Sequence, residues 1–394
     1  MIPGAKNCMA DRRWFVILAW ALMLIGMNDA HAQYNGVESV CPGTAIQARP
    51  TTFQPGGVIL TTFDRTALWV YEIDTGRRYP LPDTAPCNRN CRLSPDARWI
   101  SYYNRDTQAF NRMRLNGTQR RLIIDSASDV EWWGDGTFFV WTPAHRAYAF
   151  DEGNSALESR RNYDVRAVSS VQPNGVWGLQ VTPTGDGSTF TRALVDVTNR
   201  ERVIALNGDT AYYNARAWSP DARTLAFVAP LPVADLDIPG SEIMLIRPDE
   251  NPLVPTTLTQ LRAAYGAVRV NGLAVGELRW SPDGLRLAFW VTPVTGDDAQ
   301  DADSEATIHV VDIATGRTRS YCGFTTTQHT PNPPRLVWSP DSTHLAFGGD
   351  VVDDDIAALL LALNIETGHL TRLSDGLYPV FGAPDVIAWG LLPN

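Results

Sequence analysis

The sequence predicts an all-β fold, a β-propeller of seven four-stranded blades closed by a composite blade, and three observations carry that prediction. One hairpin pattern, clearest as LVWSPDSTHLAF (residues 336–347), recurs along the chain. A second hairpin pattern follows it in several units, and the two ends of the chain supply complementary parts of one more unit. Within the first pattern Pro340 presets φ for a tight turn, Asp341 can bond its own backbone, and the flanking apolar alternation suits strands.

Five further copies read CRLSPDARWISYY (Cys91 to Tyr103), VEWWGDGTFFVW (Val130 to Trp141), VSSVQPNGVWGLQV (Val168 to Val181), ARAWSPDARTLAFV (Ala215 to Val228) and LRWSPDGLRLAFWV (Leu278 to Val291). Their second turn positions fall at 95, 135, 173, 220, 282 and 340, with spacings of 40, 38, 47, 62 and 58. That period matches a propeller blade of roughly 40 residues, the longer spacings being taken up by loops. The second hairpin appears as LWVYEIDTGRRYPL (Leu68 to Leu81), ALVDVTNRERVIAL (Ala193 to Leu206), IHVVDIATGRTRSY (Ile308 to Tyr321) and LLALNIETGHLTRL (Leu360 to Leu373). Gly76, Gly316 and Gly368 share one turn position, and Asn199 takes it in the remaining copy, so a left-handed backbone is expected there.

Each unit is therefore four strands, A to D, with the Ser-Pro-Asp turn between A and B and the Thr-Gly turn between C and D. PDVIAWGLL (Pro384 to Leu392) reads as a strand A at which the chain stops, and GGVILTTF (Gly56 to Phe63) as a strand B with no A before it. The C-terminal strand should join three N-terminal strands in the seventh blade, removing the open edges. Six or eight blades are the alternatives.

The hairpins Trp280 to Gly284, Trp218 to Asp221 and Trp338 to Asp341 resemble the repeats of TolB-type propellers, and similar repeats occur in prolyl oligopeptidase propellers. The resemblance runs from about Gly56 to Leu392. It implies the propeller fold and a periplasmic, partner-binding role, and it assigns no residue a function.

At the N-terminus Arg12-Arg13, the apolar run Trp14 to Met27 and Ala30-His31-Ala32 describe a signal peptide over 1–32, followed by an extension over 33–55 and the propeller over 56–394. The apolar run of 14 residues is short for a bilayer span, which needs roughly 20. The protein is expected to be exported (periplasmic, envelope-associated or secreted) and monomeric, without membrane insertion once the leader is cleaved. Losing residues 1–32 takes the formal charge from −10 to −11, which argues against nucleic acid as a partner. Cys41, Cys87, Cys91 and Cys322 remain, an even number in an exported chain. Cys87 and Cys91, three residues apart with no second pair at metal spacing, read as a loop-closing disulfide; Cys41 and Cys322 then pair by elimination.

The only lysine is Lys6, so the mature chain has no amine for a Schiff base, no GK[ST] phosphate loop and no SxxK pair. GxSxG, HExxH and GxGxxG are also absent. No cofactor is expected. In the predicted blades the A–B and C–D turns share one face and are short, while the B–C and D–A loops on the other face are long. Acidic residues cluster in three successive B–C loops: Asp235 and Asp237; Asp297, Asp298, Asp301, Asp303 and Glu305; Asp353, Asp354 and Asp355. Three readings fit them: solvated loops, a docking patch for a cationic protein partner, and calcium, although DDAQDADSE lacks the spacing of a known calcium loop.

His145, His309, His329, His344 and His369 are scattered through different units, with only His329 in a long loop. Trp218, Trp280, Trp338 and Trp389, one per unit, read as packing between blades rather than a sugar-stacking platform. The sequence thus favours a non-catalytic binding or scaffold module using its long-loop face. The alternative is a polysaccharide- or peptide-processing enzyme at the central mouth, marked by one His with two or more carboxylates.

Overall fold

The computed structural model describes residues 36–42, 46–51, 53–64, 67–84, 91–134, 136–151, 162–185, 187, 189–206, 209–210, 213–233, 239–250, 254–271, 277–294, 306–326, 333–349, 359–374 and 385–393. The expected signal peptide lies outside them. Seven sheets, antiparallel apart from one parallel edge strand in each of two, account for the described strands, and their order is that of a closed propeller. In blade 1 the C-terminal strand Asp385–Gly390 pairs with Val58–Asp64, placing Trp389 opposite Ile59, and Ala67–Glu72 and Arg78–Leu81 complete the sheet. The composite blade is therefore built as the sequence predicts.

Blades 2 to 7 follow in chain order. Their innermost strands, A, are Arg92–Leu93, Asp129–Gly134, Val168–Val171, Arg216–Trp218, Arg279–Trp280 and Val337–Trp338. Inner strands of neighbouring blades touch at the 7–1, 1–2, 2–3, 5–6 and 6–7 positions, so they wall one lumen. Alternation along each strand sends side chains to both faces of a blade, and each face meets its neighbour. Seven apolar clusters result, one at every interface from 1–2 round to 7–1. Trp290 and Phe347, both fully buried, meet edge to face between blades 6 and 7, with ring centroids 5.9 Å apart. Removing such a ring costs about 3–5 kcal/mol.

The Trp side chains at the end of strand A serve as interblade clasps. Trp132 Nε1 donates to Arg92 O (2.9 Å), Trp280 Nε1 to Ala217 O (3.1 Å) and Trp338 Nε1 to Arg279 O (2.8 Å), each reaching the inner strand of the blade before. Trp389 Nε1 donates to Gly56 O within the composite blade (3.1 Å). Trp218 packs between blades 4 and 5, but its buried indole N–H has no hydrogen-bond partner among the described residues. The packing role expected for these residues is thus present, with a polar component added in most blades.

The Ser-Pro-Asp turns share one network: the Ser hydroxyl donates to the Asp carboxylate at 2.5 Å in Ser94–Asp96, Ser219–Asp221, Ser281–Asp283 and Ser339–Asp341. The residue after Asp is left-handed in all four. It is Gly only at Gly284 (φ 72), and Ala97, Ala222 and Ser342 accept the strain. At the other turn Gly76, Gly316 and Gly368 are left-handed as expected, whereas Asn199 is not. The reason is loop length. Glu72 N reaches Arg77 O and Asp312 N reaches Arg317 O, five residues on, but Asp196 N reaches Arg202 O, six on. The extra residue turns the chain without a positive φ at Asn199.

Residues ahead of Val58 also enter the sheets. Val37–Val40 lies parallel to Thr318–Tyr321 at the outer edge of blade 6, and Gln47–Ala48 lies parallel to Thr371–Arg372 at the outer edge of blade 7. Glu38 pairs with Arg317 (2.6 Å) and Arg319 (3.4 Å), Phe53 meets the His344 ring edge-on, and Arg49 Nη1 donates to Ile73 O in blade 1. Cys41 and Cys322 are bonded, Cα to Cα 4.9 Å, fixing this belt to blade 6. Cys91 is also in a disulfide; Cys87 lies outside the described residues. Among the described residues no helix is long and apolar enough to cross a membrane.

Elaboration is less one-sided than expected. The C–D connection of blade 3, between Asp151 and Asn162, is ten residues long and belongs to the face of the short turns. Gly153-Asn154-Ser155 is a turn signal just after strand C, and the sequence reading overlooked it.

Candidate functional site

All ten acidic candidates, Asp235, Asp237, Asp297, Asp298, Asp301, Asp303, Glu305, Asp353, Asp354 and Asp355, lie outside the described residues. Their flanks are described. The loops leave Leu231, Pro293 and Gly349 at the ends of strands B and re-enter at Gly240, Ala306 and Leu359 at the starts of strands C, in the consecutive blades 5, 6 and 7. Among the described residues no group of three or more His, Cys, Asp or Glu is arranged to hold a metal ion.

The described histidines do not gather. His309 is fully buried: its Nδ1 lies 3.1 Å from Thr307 O, its Nε2 2.9 Å from Tyr265 Oη, and its ring stacks on Phe289. Nδ1–H donating to Thr307 and Nε2 accepting from Tyr265 fixes a neutral ring, and burial pushes its pKa down to about 4. His344 is buried beside Thr343 and Asn364, and His369 lies near Gln47 of the belt. His329 lies outside the described residues.

What the structure does bring together is a set of charges on the inner strands, which sequence reasoning missed. Arg92 of blade 2 grips Asp129 of blade 3 through both guanidinium nitrogens (2.8 and 2.9 Å) and lies 3.6 Å from Glu131. Glu131 also accepts the Trp141 indole N–H at 3.1 Å. In blade 6 Glu277 pairs with Arg279 at 2.7 Å. Arg216 of blade 5 is held differently: Nη1 donates to Asn214 O (2.8 Å) and Asn214 Oδ1 (2.6 Å), and Nη2 to Ser169 O of blade 4 (3.3 Å). A backbone bridge joins Arg216 to Glu277, carrying this arginine alongside blade 6.

The inner strands bring these groups to one lumen, and their electrostatics are coupled accordingly. Glu277 feels Arg279 most strongly, but also Arg335, Arg92 and Arg216 from blades 7, 2 and 5, and together they overcome burial and hold its pKa at about 2. Glu131 goes the opposite way: burial raises its pKa, with Asp129 and Glu277 adding repulsion against the attraction of Arg92. Arg216 is lowered by burial, although Glu277 and Glu131 both favour its charge. Couplings between blades 2 and 6, and between blades 3 and 5, require side chains that project toward the axis. The side chains of Arg92, Asp129, Glu131 and Arg279 keep about a quarter of their exposure, so water reaches them.

No family model matches the chain, and no curated protein matches it. Among solved structures it is similar to TolB from Acinetobacter baumannii, at 12% identity over 86% of this chain and 68% of that one, with a TM-score of 0.43. TolB is a structural neighbour of this propeller. The chain is also similar to a functionally unknown protein from Desulfotomaculum acetoxidans (12% identity, 84% and 99% covered, TM-score 0.46) and to oligogalacturonate lyase from Vibrio parahaemolyticus (12%, 82% and 86%, 0.43). At these identities the likeness is one of fold. The blade count rests on the seven sheets themselves.

One signal could have pointed to the lumen. Arg92, Glu131 and Arg279 each precede the position held by Leu93, Trp132 and Trp280, a place where the other units have Ser170, Ala217, Val337 and Ala388 before Val171, Trp218, Trp338 and Trp389. A charge at an otherwise small or apolar inner position is anomalous for a packed strand.

Proposed function

We propose that the protein is an exported binding module that docks a cationic protein partner on the sector of blades 5, 6 and 7. The observation that carries this reading is the origin of the three acid-rich loops in consecutive blades, at equivalent strand ends, so that ten carboxylates belong to loops of three of the seven blades. The charge of the chain is correspondingly lopsided: residues 1–200 hold 21 basic and 19 acidic side chains, residues 201–394 hold 12 and 24. Such a field steers encounter with a positive surface and weakens with salt. Export is supported by the Cys41–Cys322 disulfide, a bond that oxidising compartments permit.

The test uses the protein from Gln33 onward as bait in native envelope and secreted fractions, beside a variant with Asp297, Asp298, Asp301, Asp303, Asp353, Asp354 and Asp355 changed to Asn. A basic protein retained by the first, lost by the second and released by moderate salt supports the reading. Equal retention by both baits removes the acidic loops from it.

A second reading has one observation in its favour. Glu131 and Glu277 share the lumen with pKa values pushed in opposite directions, the arrangement that general acid and general base pairs require. Hydrolysis or elimination on a polysaccharide or peptide, abolished by Glu131→Gln, would establish catalysis there.

A further inference from the structure

Arg216 is a lumen arginine whose hydrogen-bond partners do not match its charge. Arg92 has Asp129 and Glu131, and Arg279 has Glu277. Arg216 sits among the same inner strands, yet among the described residues no carboxylate comes within ion-pair distance of it, and its hydrogen-bond partners are the neutral oxygens Asn214 O, Asn214 Oδ1 and Ser169 O. A guanidinium has five N–H donors. Three are engaged, and the remaining two lie on a group that the neighbouring strands have fixed in place. A partly buried cation whose hydrogen bonds go only to dipoles, with Glu277 and Glu131 acting from beyond ion-pair distance, keeps part of its desolvation cost, and an anion beside it would relieve that cost.

The surroundings restrict which anion fits. Glu277, bridged to Arg216 through the backbone, and Glu131 both act on Arg216, and Asp129 shares Arg92 with Glu131. A polyanion would meet these carboxylates, whereas a single carboxylate could take Arg216 while donor groups elsewhere on the same molecule approach Glu131 or Glu277. We infer that the lumen is a binding site for a small monocarboxylate that also carries hydroxyl or ammonium donors, a sugar acid or an amino acid, with Arg216 receiving the carboxylate. Ser169 and Asn214 are its positioning residues: they hold the guanidinium plane across the boundary of blades 4 and 5. This site is separate from the loop sector, and either can fail without the other.

Calorimetric titration of the propeller from Gln33 onward tests the assignment with three probes: D-glucuronate, glycine and D-glucose. The expected result is saturable binding of glucuronate or glycine, none of glucose, and at least about tenfold weaker binding in Arg216→Gln, the effect of losing a charged hydrogen-bond pair. Which carboxylate binds separates the sugar-acid source from the amino-acid source. Asn214→Ala, which leaves the charge but frees the plane, should weaken binding less and serves if Arg216→Gln does not fold; Arg223→Gln, on an exposed turn, is the control. No saturable heat with either carboxylate, or unchanged affinity in both the Arg216 and Asn214 variants, overturns the inference.

Discussion

Blades 2 and 3 and blades 6 and 7 follow the same four-strand plan but end differently at the rim. Arg121–Asp125 and Asn162–Asp164 are the outermost described strands of their sheets, while the outer edges of blades 6 and 7 each carry a parallel strand from the belt, with a disulfide at one of them. The reinforced side is the one next to the seam. Blade 1 is held together by non-covalent pairing between Asp385–Gly390 and Val58–Asp64, so a radial opening would begin between those two strands, and the belt ties blades 6 and 7 to the Val58–Asp64 side from outside. A closed ring needs its fasteners where the backbone is discontinuous.

Three perturbations test that contrast. Trp389→Ala strikes the seam itself: the side chain is 1% exposed and bonds Gly56 O, so urea unfolding should show a loss of about 4 kcal/mol. Trp280→Ala, at the equivalent but only partly buried position away from the seam, should cost about half as much. Equal losses would mean that the seam is no weaker than other boundaries.

Joint Cys41→Ser and Cys322→Ser substitution should cost about 2–4 kcal/mol and increase proteolytic cutting between Cys41 and Val58. If cutting instead rises equally in blades 2 and 3, the belt is not a local fastener.

Acidification should act on the belt side through His309. Its folded pKa, about 4, lies below the ordinary 6.5, so the unfolded chain binds more protons between those values. The stability is therefore complete above pH 6.5 and falls as pH drops toward 4, by up to roughly 3 kcal/mol. His309→Gln should lose that part of the pH slope measured by denaturant midpoints at pH 7 and 4.5. An unchanged slope would assign the acid sensitivity to other groups.

The blades were legible because their signals are local. Ser281-Pro282-Asp283-Gly284 writes its turn into adjacent residues, and Trp280 and Trp338 mark the strand before it. The seam was legible because Asp385–Gly390 lacks a strand B and Val58–Asp64 lacks a strand A, each absence explained by the other. The belt was not: Val37–Val40 is short, and what makes it a strand is the free edge of Thr318–Tyr321, some 280 residues away. The lumen charges were hidden for the same reason, since Arg92, Arg216 and Glu277 become neighbours only when separate blades converge on one axis. Asn199 shows the converse. Its residue type suggested a left-handed turn, and one additional residue in the loop made that conformation unnecessary.

The composite blade also sets an order of events during synthesis. Val58–Asp64 is made before the strands of blades 2 to 7, yet its strand A partner, Asp385–Gly390, is made after them. Until then the early strand presents an unpaired edge, and six blades must wait for the ring to close. The growing chain is thus open to pairing with foreign strands while those blades are made, a vulnerability that ends in one step when Asp385–Gly390 docks.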